Sequence, residues 1–174
     1  MPFPDNSFDK TFCLGVLQHT PDFEESVRAL VAKTKPGGEI VVDFYAIRRW
    51  WTKINAKYML RPFTRKMNSA KLMTIIEKNI DGLVFAYRFL ERIRLQPLTR
   101  FLPIADLSIV FPAGMSDEQI RDWSILDTFD MFSPDFDNPQ KIATVMDMFE
   151  RAGARVSFGG YIASGAAVVR AVKV

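Results

Sequence analysis

The chain has 174 residues, 48% apolar and 25% charged, with a net charge of +3. This composition suits one globular domain that buries about 70% of its unfolded surface. A single cysteine and a single histidine exclude an internal disulfide framework and leave no Cys/His cluster for a metal.

The first residues, "MPFPDNSFDK", lack the basic and apolar regions of a signal peptide. No apolar run approaches the roughly 18 residues of a spanning helix. The expectation is a soluble, cytoplasmic protein. Charge is distributed unevenly: residues 47–103 hold 13 Lys/Arg against 3 Asp/Glu, and residues 104–150 hold 2 against 10. Such a partition suggests two segments that face each other, or a basic surface with its own partner.

Residues 9–17, "DKTFCLGVL", are apolar on both alternating faces, which predicts a strand covered on both sides. In the next segment Phe23, Val27, Leu30, Val31 and Thr34 fall at helical spacing. Asp22 with Glu25, or Thr20 ahead of Pro21, caps the start. Lys33 and Lys35 suit the negative end of the helix dipole, and Pro36-Gly37-Gly38 stops the helix. "EIVVDFY" reads as a second buried strand. Strand, helix and strand on short connections make a right-handed βαβ unit and hence a parallel pair.

The middle is helical and basic. A helix through "RRWWTKINAKYML" must kink or end at Pro62. Leu72, Ile76, Ile80, Leu83, Tyr87 and Leu90 form the apolar stripe of one long helix. Ser116 with Gln119 opens another helix through residue 126. "DTFDMFSPDFDNP" reads as a loop of turn formers. Asn138-Pro139 opens a last helix with Ile142, Val145, Met146 and Phe149 inward and Gly153 at its end. "RVSFGGY" and "ASGAAVVRAVKV" form an antiparallel closing hairpin.

Three pieces carry a resemblance: "PFPDNSFD" leading into the first strand, "GVLQHTPD" at its C-terminal end, and "KPGGEIVV" entering the second. In this order and spacing they resemble the later half of a class I S-adenosylmethionine-dependent methyltransferase domain. The similarity is to the methyltransferase type 11 group and the ubiquinone/menaquinone C-methyltransferases. It covers residues 1–46 and, more loosely, 117–172. It implies an α/β fold: a partial Rossmann-like sheet of two parallel strands plus a closing hairpin, with a large helical insertion. Residues 1–46 and 117–174 would form the C-terminal half of the methyltransferase domain. Residues 47–116 would be a basic lid or substrate region. In that family the glycine-rich turn and ribose-binding acid lie on earlier βα units, and no G-x-G-x-G turn follows an early strand here. The expectation is therefore an N-terminally truncated fragment, or else a naturally reduced relative, inactive alone. Losing two charge-assisted contacts at about 1.5–3 kcal/mol each weakens cofactor binding by about two to four decades.

The resemblance implies that Gly15, Val16, Leu17, Gln18 and His19 flank the cofactor's methionine portion at the C-terminal strand end, where open α/β sheets bind ligands. His19 and Asp43 are the candidate acid/base groups. The bland alternatives are a capping role for His19 and a solvated strand end or ion pair for Asp43. Tyr45, Trp50 and Asp130 are the substrate-side candidates, with Asp127 and Ser133 beside Asp130. Trp50 and Trp51 among Arg48, Arg49, Lys53 and Lys57 suit a lid over an apolar substrate or contact with an anionic membrane. The expected acceptor is a small or lipid-like molecule; no recognised module supports nucleic-acid binding. Without its usual neighbour, strand 12–17 becomes a sheet edge open to homodimer pairing. A different class of function is a non-catalytic scaffold whose basic helices bind a membrane or protein partner.

Overall fold

The computed structural model describes residues 2–48, 50–108 and 114–174, with only the backbone at Trp50 and Trp51. The chain divides into two compact units, Met1–Trp50 with Phe136–Val174, and Trp51–Asp135.

The first unit is built on four strands among the described residues: β1 (Phe8–Cys13), β2 (Thr34–Phe44), β3 (Ala154–Tyr161) and β4 (Ala167–Lys173). Their order is β1-β2-β4-β3. β1 and β2 run parallel, while β4 is antiparallel to both β2 and β3. This is the expected parallel pair plus closing hairpin.

Helix α1 (Phe23–Lys33) joins the parallel strands. Asp22 caps it by accepting the Glu25 N–H at 2.9 Å, and Thr20 instead donates to the Leu17 carbonyl. Phe23, Val27, Leu30 and Val31 are buried as their spacing predicts. The helix stops at Lys33, ahead of Pro36-Gly37-Gly38, which forms an irregularity inside β2. There the pairing jumps from Phe8↔Thr34 to Lys10↔Glu39. Gly38 is required: a Cβ would meet the Asp9 carbonyl oxygen at 2.9 Å.

Helix α5 (Ile142–Arg151) starts later than Asn138-Pro139 suggested, with Lys141 at its N-cap. Val145 and Phe149 join α1 and the alternate β-residues Ile40, Val42, Phe44, Ala167, Val169 and Ala171 in one core. Alternation along a strand assigns Val41, Asp43 and Arg170 to the other face, where these three stay partly or fully open while Val168 is buried.

The first strand departs from expectation. It ends at Cys13, not Leu17, and is mostly exposed instead of covered on both sides. Phe12 is 74% exposed. The apolar composition was a sound strand signal, and β1 lies at the sheet edge, as the resemblance implied, so most of its side chains stay exposed.

The second unit is helical. Helix α2 (Ala56–Thr64) carries Pro62 inside it and continues two residues further, because a helix this short forfeits only one hydrogen bond there. Helix α3 (Ser69–Arg92) buries Leu72, Ile76, Ile80 and Tyr87 along the predicted stripe.

Helix α4 (Asp117–Phe132) has the Ser116–Gln119 capping box but runs six residues past the expected end. Residues 127–132 are therefore helix, not loop. Ser124, Ile125, Thr128 and Phe132 line up at helical spacing and are buried, which overrides the turn-forming tendency of Asp and Ser. Thr128 accepts the Ala105 N–H at 3.0 Å. Arg61, itself buried, donates to the Met131 and Pro134 carbonyls, and Thr64 donates to that of Phe132. These donors complement the negative end of α4. α4 thus packs within the second unit, on the 51–135 side of the division, whereas the sequence grouped 117–174 with the sheet.

Candidate cofactor-side loop

The candidate site lies where β1 and β2 end. Beyond Cys13 the chain turns through Gly15 at φ 68°, a left-handed conformation that disfavours side chains. The Gly15 N–H donates to the Asp43 carboxylate. Asp43 is thus not a free strand end: it accepts this bond and holds the turn against β2. Burial and the Asp43 charge push the neighbouring Cys13 thiol pKa up.

A short 3-10 turn, Leu17–His19, follows. Leu17 drops into the core at 2% exposure, so it anchors the loop from below, while Val16 is exposed. Gln18 is fully buried, yet among the described residues neither its amide oxygen nor its nitrogen has a hydrogen-bond partner. Burying an amide in that state costs about 1–3 kcal/mol. The His19 Nδ1 lies 3.0 Å from the Phe136 carbonyl. A carbonyl only accepts, so Nδ1 is the donor in this contact. The other ring nitrogen, Nε2, is buried and without a partner among the described residues. The Tyr45 ring meets the imidazole edge-on at 5.6 Å.

A strap, residues 136–140, closes over this loop. Asn138 donates its N–H to the Gln18 carbonyl at 2.7 Å and its side-chain amide to the Thr20 carbonyl at 2.8 Å. Gln140 donates to the Tyr45 carbonyl, and Ile47 donates to that of Gln140. These bonds were not readable from the sequence, where Asn138-Pro139 looked like the start of a helix. The nearest signal was the clustering of Asp, Asn and Pro, which forbids a regular element without naming its target.

Gly15, Val16, Leu17, Gln18, His19, Asp43 and Tyr45 are therefore brought together at one end of the parallel strands. Arg48 is tied to the closing hairpin, donating to the Gly165 carbonyl at 2.7 Å with its guanidinium over Tyr161. Asp130 is exposed on α4 of the second unit. The side chains of Trp50 and Trp51, and residue Arg49, lie outside the described residues. Among the described residues no cluster of acids, His and Cys suits a metal, and no helix is long and apolar enough to cross a membrane.

Residues 1–42 match the family described as "Methyltransferase domain". Over 43 residues the chain is 49% identical to the tRNA U34 carboxymethyltransferase of Nautilia profundicola and 40% identical to that of Campylobacter curvus. Each match covers 25% of this chain and 14% of the relative, so the chain spans a small part of the length of the curated relatives it matches. A SAM-dependent methyltransferase structure from Methanosarcina mazei overlays 100% of this chain and 63% of its own, at 14% identity and a TM-score of 0.46. The resemblance to a methyltransferase domain read from the sequence is borne out over residues 1–42.

Proposed function

We propose that this chain contributes to S-adenosylmethionine-dependent methyl transfer, with the Gly15–His19 loop as one wall of the cofactor crevice. The observation that carries the reading is the buried, unpartnered amide of Gln18, at the end of a segment that matches a methyltransferase domain. A polar group buried without a partner is rare in a settled core and is explained by a ligand that completes it. S-adenosylmethionine presents ammonium, carboxylate and ribose hydroxyl groups, which a side-chain amide can satisfy as donor and acceptor together.

When bound, the cofactor supplies an activated methyl group on a sulfonium. What this chain adds is position. Gly15 and Asp43 fix the turn, Leu17 anchors it in the core, and Asn138 holds the Gln18 backbone. His19, whose Nε2 is buried without a partner among the described residues, is the candidate base for acceptor groups that must lose a proton. Asp43, engaged by Gly15, serves as a positioning residue. On this reading the 174-residue chain alone binds the cofactor weakly.

The acceptor we favour is a small or lipid-like molecule. The two matched relatives are named for a tRNA substrate, which stands against that choice, although over a short stretch of the chain. An acceptor panel therefore has to include tRNA. The test of the site is photochemical cross-linking of radiolabelled S-adenosylmethionine at millimolar concentration, followed by peptide mapping. Label on the peptide containing Gly15–His19, displaced by S-adenosylhomocysteine, is expected. Label that is not displaced, or that maps to residues 51–135, would falsify the reading.

A further inference from the structure

We propose that the last two turns of α3 and the 3-10 segment after it form a docking face for an anionic lipid bilayer. This goes beyond methyl transfer and rests on different residues, all within the second unit.

Helix α3 turns Leu72, Ile76, Ile80 and Tyr87 inward. Helical spacing puts Phe85, Arg88, Phe89 and Arg92 on the opposite side. Phe85 is 72% exposed and Phe89 is 51%, with their rings stacked at 6.3 Å. Where the helix ends, Ile93, Leu95, Leu98 and Phe101 also remain exposed. A single exposed leucine requires no explanation, but an apolar run of this kind on a helix face does.

The charge on the same stretch is cationic. Residues 84–101 expose Arg88, Arg92 and Arg94 against a half-buried Glu91, with Asp117 and Glu118 of α4 beside Arg88 at one margin. Asp81, one turn earlier, is taken by Arg121 at 2.8 Å. Aromatic and aliphatic side chains interleaved with arginine match the boundary between headgroups and acyl chains. There the apolar groups insert while the guanidinium groups reach lipid phosphate.

Two other occupants fit less well. Nucleic acid uses aromatic stacking and phosphate contacts, but Ile93, Leu95 and Leu98 cannot stack and would be held against a charged backbone. A second copy in a two-fold contact would bring Arg88 and Arg92 towards their own counterparts, a like-charge arrangement. No described helix spans a bilayer, so the contact lies on the surface.

The test is flotation of the intact chain with vesicles of phosphatidylcholine containing roughly a third phosphatidylglycerol, against pure phosphatidylcholine. Binding to the anionic vesicles is expected, with at least about tenfold weaker binding to the neutral ones. Phe85→Ser/Phe89→Ser, at exposed positions that leave the core intact, should lose about tenfold. Arg88→Glu/Arg92→Glu should lose a similar factor and most of the salt sensitivity. Phe12→Ser in the first unit should change nothing. Failure to float with anionic vesicles, or equal binding by the Phe85/Phe89 variant, overturns the proposal. Without vesicle binding, a lipid-free dimer or a tRNA complex lost in that variant would instead assign the face to a second copy or to nucleic acid.

Discussion

Replacing Gln18 with methionine should make the free protein more stable while weakening its hold on the cofactor. Gln18 is fully buried, and its side-chain amide has no partner among the described residues. The desolvation of that amide costs about 1–3 kcal/mol with no hydrogen bond in return. Methionine is similar in length, is flexible at χ3 and carries no strong polar atom, so it removes the cost with little change in volume. A gain of about 1–3 kcal/mol follows, and each kcal/mol should raise the melting temperature by about 2–4 °C. Thermal unfolding followed by circular dichroism measures it, with Leu17→Ala in the same loop as a control that must be destabilised by about 2–5 kcal/mol. A Gln18→Met protein less stable than the parent by more than about 1 kcal/mol would refute the reasoning. It would mean that the amide is already satisfied in solution, so no vacancy awaits a ligand.

Other expectations follow from the same structure. Gly15→Ala places a side chain at φ 68° and should cost about 1–2 kcal/mol, read from urea midpoints. Arg61→Ala leaves the Met131 and Pro134 carbonyls without their donor and should cost about 2–4 kcal/mol, with α4 amides losing protection from hydrogen exchange. Phe12→Lys charges the edge strand and should abolish any self-association seen by sedimentation; association that persists would locate the dimer contact elsewhere.

The Tyr87 hydroxyl donates to Asp106 at 2.5 Å. Burial and that bond push the Tyr87 pKa up. Burial alone would raise Asp106, but the bonds from Tyr87 and Ser108 outweigh it and hold its carboxyl below the ordinary value. The depressed acid contributes stability above an unfolded pKa of about 3.9, lost as pH falls through the folded value. The raised phenol contributes below about pH 10, lost as pH rises. The stability difference between the parent and Tyr87→Phe should therefore be flat, about 1 kcal/mol, from about pH 5 to 9 and shrink on both sides.

Much of the fold was legible because its signals are local. The spacing of Phe23, Val27, Leu30 and Val31 fixes α1, and that of Leu72, Ile76, Ile80 and Tyr87 fixes α3, since buried faces repeat with the helical period. What failed depended on distant partners. β1 looked fully buried because Phe12, Leu14 and Val16 are apolar, and nothing in a strand's own residues says that it lies at the sheet edge. The extension of α4 through Asp127–Phe132 depends on Thr128 meeting Ala105 and on Arg61 and Thr64 meeting its last carbonyls. No window around residue 130 contains these partners.

The place of the Gly15–His19 loop, just after the first parallel strand, was legible in the sequence. The strap at Phe136 and Asn138 was not legible, since its bonds to Gln18, His19 and Thr20 join residues more than a hundred positions apart. The same holds for Asp43, whose engagement with Gly15 appears only once the strands are paired.

On the proposed reading, Gly15–His19 forms one wall of a cofactor crevice. Backbone amide NMR during titration with S-adenosylhomocysteine tests it most directly. The account predicts weak, saturable binding, about two to four decades short of a complete site, with shifts concentrated at Gly15–His19 and Asn138. No shifts in that loop, or tight micromolar binding by this chain alone, would contradict it.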